Sequence, residues 1–274
     1  MIRFGGIWMS TYSLEHKKYL HEKKKQKIII TFFRFSIFVC FLVCWELLVH
    51  FQMINTFLSS SPSQVFSTII ELLVNGDLFL HIGITLYEVL LSFFISTSIG
   101  FMIATLLWSS KMIAKIVDPY LTILNSLPKV ALGPLIIIWV GASTNSIIFM
   151  SLLISTFITI INIYHGFSTT NENYITLLKS FGATKKQIFL KVVFPSNYFT
   201  LIEALKINIS MNLIGVIMGE LLVSKSGLGY LIMYGSQVFN INLVITSVVI
   251  LGIISYLMYF IIDKMELLIK QKRG

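Results

Sequence analysis

The sequence predicts an all-α polytopic membrane protein with six transmembrane helices, and three observations predict it. Of 274 residues, 56% are hydrophobic and only 12% charged, with a mean hydropathy of +0.85; a soluble domain carries about a quarter charged residues. Apolar runs approaching about 20 residues, the length that crosses a bilayer core as a helix, recur along the chain. Lysine and arginine collect at alternate ends of those runs, as the positive-inside rule expects.

The first span is predicted from about Thr31 to Phe51, behind a basic segment, residues 1–30. This run is long, lacks a small-residue cleavage site and contains Trp45 and Glu46 near its end. It fits an uncleaved anchor better than a secretory signal. Gly5-Gly6 shortly before Met9 resembles a translated ribosome-binding site, so Met9 is expected as the true start. Cys40 and Cys44 share a helix face and are expected as small buried hydrophobes, not a disulfide or a metal site. Gln52 to Gly83 holds no Lys or Arg and is assigned outside. Within it, Ser61-Pro62-Ser63-Gln64 opens a short surface helix that ends near Asn75-Gly76-Asp77.

The second span runs from about Ile84 to Trp108, and a tight turn at Ser109-Ser110-Lys111 returns the chain. The third, about Ile113 to Val140, is broken by Pro128 and Pro134. A turn at Gly141 to Asn145 leads into the fourth, Ser146 to about Tyr164. The fifth covers about Tyr198 to Val223 and the sixth about Ile241 to Ile262.

Charge tests this topology. Arg3, Lys17, Lys18, Lys23, Lys24, Lys25 and Lys27 precede the first span; Lys111, Lys115, Lys179, Lys185, Lys186, Lys191, Lys206, Lys264, Lys270, Lys272 and Arg273 fall on the same side. Only Lys225 falls outside, Arg34 snorkels inward, and Lys129 is the exception. Both termini are therefore expected in the cytoplasm of a cell-membrane protein. A net charge of +9 distributed this way sets orientation and meets lipid headgroups, so nucleic acid is not an expected partner. Ser92, Ser96, Gly100 and Ala104 form a small-residue face on the second span, and Gly215 and Gly219 a GxxxG on the fifth. Such faces bring helices together, either within one subunit or between two.

Between the fourth and fifth spans lies a polar, basic segment, Asn171 to Pro195. A helix from Glu172 to Ser180, capped by Asn171, carries an apolar stripe of Ile175, Leu178 and Phe181. Gly182 permits a left-handed turn. Thr184-Lys185-Lys186-Gln187 matches a capping box, so a second helix carries Ile188, Phe189 and Val192 toward Pro195. A short amphipathic helix of this kind suits a groove on a soluble partner.

At these residues the chain resembles the permease subunits of binding-protein-dependent ABC importers. Their "EAA" loop reads Glu-Ala-Ala, three residues, Gly, nine residues, Ile-x-Leu-Pro. Here Thr176-Leu177-Leu178 holds the first three places, Gly182 the glycine, and Val192-Val193-Phe194-Pro195 the end; the Glu and both Ala are absent. Ser126-Leu127-Pro128, Ala131-Leu132-Gly133-Pro134-Leu135 and Trp139-Val140-Gly141 resemble that family's third span. Gly219-Glu220 followed by Ser226-Gly227-Leu228-Gly229-Tyr230 is similar to the segment after its fifth. The Ser61-Pro62 helix resembles the branch importing sulfonates, taurine, nitrate or thiamine-precursor pyrimidines.

The resemblance implies a MetI-like, type I importer permease fold over residues 31–274, with a core at about 80–268 and a coupling loop at 168–195. It implies partners too: a second permease subunit, identical or paralogous, two cytosolic ATPases and an extracytoplasmic solute-binding protein. Thr176, Leu177, Leu178, Phe181, Gly182, Ala183, Thr184 and Pro195 become the ATPase-coupling residues. No G-x-x-x-x-G-K-[ST] loop is present, so ATP hydrolysis is expected in a separate subunit and this chain is not expected to be an enzyme.

Pathway and gate candidates remain open. Lys129 either serves an anionic solute or is neutralised by an ion pair or by snorkelling, and Glu220 either braces the Ser226-to-Tyr230 turn or gates. Asn208, Asn212 and Ser210 either line the conduit or bond between helices, while Glu46, Glu88 and Glu203 read as solvated or locally paired. His50, His81 and His165 show no metal-ligand spacing, and no cofactor motif is present. A self-contained secondary carrier, which would need inverted repeats and midplane ion ligands, and a membrane sensor without transport are the alternatives.

Overall fold

Inside lipid a backbone amide has no water to bond, so long apolar segments satisfy themselves as helices. The computed structural model describes residues 14–55 and 59–273, and it is helical throughout its ordered elements. Met9 lies outside the described residues. The chain divides into two compact units, one up to Ser63 and one from Gln64 onward.

In the first unit, helix α1 runs Leu14–His50, well beyond the predicted span at its start. Its most apolar window buries none of its residues. Cys40 and Cys44 are accordingly exposed rather than buried, with their sulfurs 4.0 Å apart and no disulfide between them. Helix α2, Pro62–Val74, starts at the predicted proline and belongs from Gln64 onward to the second unit. Glu46 is locally paired: it accepts from the Ser63 backbone N–H at 3.0 Å and from Ser63 Oγ at 2.8 Å.

In the second unit Gly76, at φ +79°, turns the chain into α3, Asp77–Ser109. Helix α4 spans Lys111–Ser126 and tolerates Pro119 within it. A 3-10 turn, Lys129–Leu132, and α5, Gly133–Val140, complete the broken third span with a bend of 79°. Then come α6, Thr144–Ser168; α7, Glu172–Ser180; and α8, Lys185–Ile188. A π turn, Phe189–Val193, and α9, Phe194–Ser196, lead into α10, Tyr198–Val223. The predicted fifth span has the same bounds as α10. Helix α11, Leu228–Gln237, was not foreseen, and α12, Ile241–Arg273, continues about three turns past the predicted end. Among the described residues five helices are long and apolar enough to cross a membrane, and the bent pair makes six.

Helix α6 lies at the centre, packed along α3 on one side and α10 on the other. The small faces explain why. A Cβ on Gly100 would stand 2.6 Å from Thr159 Cγ2, and one on Gly215 would stand 2.5 Å from the Ser151 Cα. Gly219 makes the same approach to Ile147, 2.9 Å from its Cα. Both small-residue faces therefore serve packing within this subunit. Lys206 ties α10 to α12 through Asp263 at 2.5 Å and Glu266 at 2.7 Å.

Candidate functional site

The polar segment between α6 and α10 is a helix, a sharp bend and a second helix. Asn171 Oδ1 accepts from Asn173 N at 2.9 Å and caps α7. At the other end Gly182, φ +74°, occupies a complete Schellman turn: Ala183 N donates to Leu178 O at 3.0 Å and Gly182 N to Lys179 O at 2.9 Å. Thr184 and Gln187 form the capping box, with Gln187 N on Thr184 Oγ1 at 3.3 Å and Thr184 N on Gln187 Oε1 at 2.8 Å. A Cβ on Gly182 would meet nothing within 4 Å, so only backbone conformation restricts this position. Gly182→Val is expected to cost about 1–2 kcal/mol locally and Gly182→Asn much less. The check is hydrogen exchange at the Ala183 amide, which should speed about tenfold in the valine variant.

The two faces of α7 do different things. Ile175, Leu178 and Ala183 pack inward on a cluster built around Ala104, Ile163, Phe167, Ile188 and Val193. Tyr174, Leu177 and Phe181 point outward, at 57%, 54% and 76% exposure. The predicted stripe of Ile175, Leu178 and Phe181 is therefore corrected, because Phe181 belongs to the opposite set. At 100° per residue, steps of three drift by about 60° each, so such a stripe winds around a helix. Thr176 faces neither set and lines a cleft beside Trp108 and Lys179.

The base of the segment is anchored firmly. Phe189 sits 5.2 Å from the Phe167 and Trp108 ring centroids, and Phe101 joins the same group at 5.9 Å from Phe167. This aromatic cluster ties the segment to α3 and α6, each pair adding about 0.5–1.5 kcal/mol. Pro195 lacks an N–H and its ring conflicts with the carbonyl four residues back. The chain widens into the π turn, where Phe194 N donates to Phe189 O. Asn197, missed in the sequence, closes the base: its Nδ2 donates to Thr170 Oγ1 at 2.6 Å and Val193 O at 2.8 Å.

Within the bundle, Asn208 and Asn212 are fully buried between α3, α6 and α10. Asn208 Oδ1 accepts from Ser96 Oγ at 3.1 Å and Asn212 Nδ2 at 2.7 Å, and Asn208 Nδ2 donates to Thr97 Oγ1 at 2.7 Å. Asn212 Oδ1 accepts from Ser151 Oγ at 2.9 Å and Ser155 Oγ at 3.0 Å. Their amides are engaged between helices, which leaves little capacity for a solute in this conformation. Ser210 bonds within its own helix, to Lys206 O at 3.1 Å.

Glu220, 1% exposed, holds the turn that follows its helix. Its carboxylate accepts from Thr85 Oγ1 at 2.7 Å and Gly229 N at 2.5 Å. Thr85 Oγ1 accepts from Leu228 N at 2.9 Å, and His81 Nδ1 accepts from Gly227 N at 2.9 Å. His81, unassigned from the sequence, is thus a third support of this turn. A Cβ at Gly227 would overlap the Glu220 carboxylate, and one at Gly229 would lie 2.7 Å from Glu220 Cβ. Glu88 is not solvated: it is 1% exposed with Glu220 and Thr144 as its local polar neighbours, and its Oε2 has no hydrogen-bond partner among the described residues. Glu203 is exposed. Lys129, at the 79° bend, donates to Asn125 Oδ1 at 3.1 Å and lies 5.4 Å from the Phe157 ring centroid. It makes no ion pair among the described residues.

Comparison with known proteins agrees with this architecture. Residues 96–273 match the family model described as binding-protein-dependent transport system inner membrane component. An ABC transporter permease protein of Haemophilus influenzae is 31% identical over 81% of this chain and 92% of its own length. The formylaminopyrimidine transport permease protein of Halalkalibacterium halodurans is 29% identical, over 84% of this chain and 91% of its own. A Bacillus subtilis permease whose name assigns it to aliphatic sulfonates is 26% identical, over 78% and 77%. Among solved structures, a chain of the MetNI methionine ABC transporter in an inward-facing conformation shares the fold: TM-score 0.62 at 21% identity, over 72% of this chain and 96% of that one. The helices around α6 and the glycine-hinged segment before α10 thus lie in a chain that belongs to the family of binding-protein-dependent transport system inner membrane components, the multi-pass permease subunits of ABC importers.

Proposed function

We propose that two ATPase subunits dock on the segment from Asn171 to Pro195, one for each of two permease chains, and drive import of a small solute between them. The observation that carries this reading is the outward apolar face of Tyr174, Leu177 and Phe181 on a helix whose inner face is fixed to the bundle. Leu177 and Phe181 are the contact residues. Leu178 and Ala183 hold the helix, Gly182 and Thr184 set the bend, and Pro195 sets the re-entry. Thr176 stands where the family motif carries Glu. Through the Phe189 cluster, movement of the docked segment reaches α3 and α6 directly. ATP-driven closure then biases a rigid-body switch between inward-open and outward-open states.

The chain itself carries no ATP-binding loop, so hydrolysis belongs to the partner. The side-to-side distribution of basic residues supports a cytoplasmic position for both termini and this segment. Permease chains pair as a homodimer or with a paralogue, and an extracytoplasmic protein delivers the solute. Lys129, without an acid partner at the broken span, favours an anion such as a sulfonate. A formylaminopyrimidine is the second substrate reading, since one relative of comparable similarity carries that name.

Uptake by proteoliposomes containing the permease, its ATPases and its binding protein tests the reading. Import should require ATP on the ATPase side and persist when the proton gradient is collapsed. Uptake that survives ATP removal but fails without the gradient would establish a secondary carrier instead.

A further inference from the structure

Beside the docking helix lies a cleft of about 600 Å³ between the α3–α4 turn and α7–α8. Its walls include Trp108, Lys111, Glu172, Ile175, Lys179 and Lys185. Lys185 donates only to Ser109 O, at 3.3 Å, and neither Lys111 nor Lys179 has a hydrogen bond or ion pair among the described residues. Three lysines thus line one cavity with a single carboxylate among them, an arrangement that leaves positive charge uncompensated. The wall has an apolar side as well, formed by Trp108, Ile175 and Ile188. Trp108 ends a membrane-spanning helix, and an indole at such an end sits at headgroup depth.

We infer that this cleft binds a phosphate group, and that its resident ligand is the headgroup of an anionic phospholipid. The three lysines would take the phosphate oxygens through charge-assisted hydrogen bonds. The Trp108–Ile175 side would meet the glycerol and first acyl carbons. Basic pockets between helices at the cytoplasmic surface are where anionic headgroups are held. The assignment rests on the cytoplasmic placement proposed above. Glu172, Ile175, Thr176 and Lys179 share the cleft face of α7, while Tyr174, Leu177 and Phe181 lie on the other side, so a bound lipid and a docked ATPase occupy opposite faces.

The test uses the full chain in detergent without ATPases, titrated with phosphatidylglycerol, phosphatidylcholine or inorganic phosphate and read by native mass spectrometry. The variant K111Q/K179Q/K185Q removes the cleft charge. K115Q/K186Q/K191Q removes as many exposed charges outside it. Phosphatidylglycerol should bind at least about tenfold more weakly to the cleft variant and unchanged to the control, with phosphatidylcholine indifferent to both. Failure of millimolar phosphate to displace the lipid identifies the headgroup as the ligand. Displacement, together with lysine-dependent phosphate binding, assigns the same site to a soluble phosphate and overturns the lipid assignment. Equal loss in the two variants, or no loss in either, overturns the site. Because no ATPase is present, these outcomes are independent of whether the docking face works.

Discussion

Gly215→Val is expected to destabilise the protein by about 3 kcal/mol or more, enough to remove most folded material from a detergent extract. The added Cβ would lie 2.5 Å from the Ser151 Cα, and a backbone atom cannot rotate away as a side-chain tip can. Separating α6 from α10 would also stretch the Ser151 Oγ bonds to Asn212 O, at 3.0 Å, and Asn212 Oδ1, at 2.9 Å. Buried amides left unpaired cost about 1–3 kcal/mol each, so the packing loss and the polar loss add. Gly252→Ala is the internal control, since a Cβ there meets nothing within 4 Å. That change in the middle of α12 should be neutral or stabilise by up to about 1 kcal/mol. Thermal melting followed by size-exclusion chromatography ranks the two, and equal melting would refute the packing account of the GxxxG face.

Glu220→Ala is expected to cost about 3 kcal/mol, with Glu220→Gln in between. Alanine removes the acceptor for both Thr85 Oγ1 and Gly229 N and leaves a void where Gly227 and Gly229 approach. A hydrogen bond to a charged group contributes about 1.5–3 kcal/mol, and the orphaned Gly229 N–H adds desolvation. Glutamine keeps one oxygen, so it can serve one donor and must oppose its NH2 to the other. Proteolysis of the segment from Ser224 to Gly229 should accelerate in the order wild type, Gln, Ala. An alanine variant as protected as wild type would show that the carboxylate does not brace this turn. Gly227→Ala should mimic Glu220→Ala, because its φ of +114° and its contact with the carboxylate both exclude a side chain.

Much of the frame was legible because its signals are local. Thr184 and Gln187 announce a capping box, Gly182 sits where a left-handed residue is needed, and Pro62 begins its helix as a first-turn proline should. The face of α7 was misread because a three-residue repeat resembles a stripe on paper yet drifts around a helix. Glu88 was misplaced for a different reason: α3 starts at Asp77, seven residues before the predicted Ile84, which carries Glu88 from near an end to well inside the span. Cys40 and Cys44 were expected inside because they are apolar, but the apolar half of α1 carries no one-sided stripe and its sequence names no buried side. The Ser96–Asn208–Asn212–Ser151 network and the Asn197–Thr170 clasp join residues far apart in the chain. No spacing rule within one helix predicts such partners. Helix α11 carries no charge and few boundary signals beyond Gly227 and Gly229, so it read as connecting loop.

The central claim is that the outer face of α7 receives the ATPase, and one binding measurement addresses it. Leu177→Asp with Phe181→Asp replaces two exposed side chains, so melting and the elution profile should match wild type. Affinity of the purified permease for its ATPase subunits should then fall at least about thirtyfold, the loss of a central apolar contact pair. Unchanged affinity in a variant that folds normally would contradict the claim and move the docking surface elsewhere on the chain.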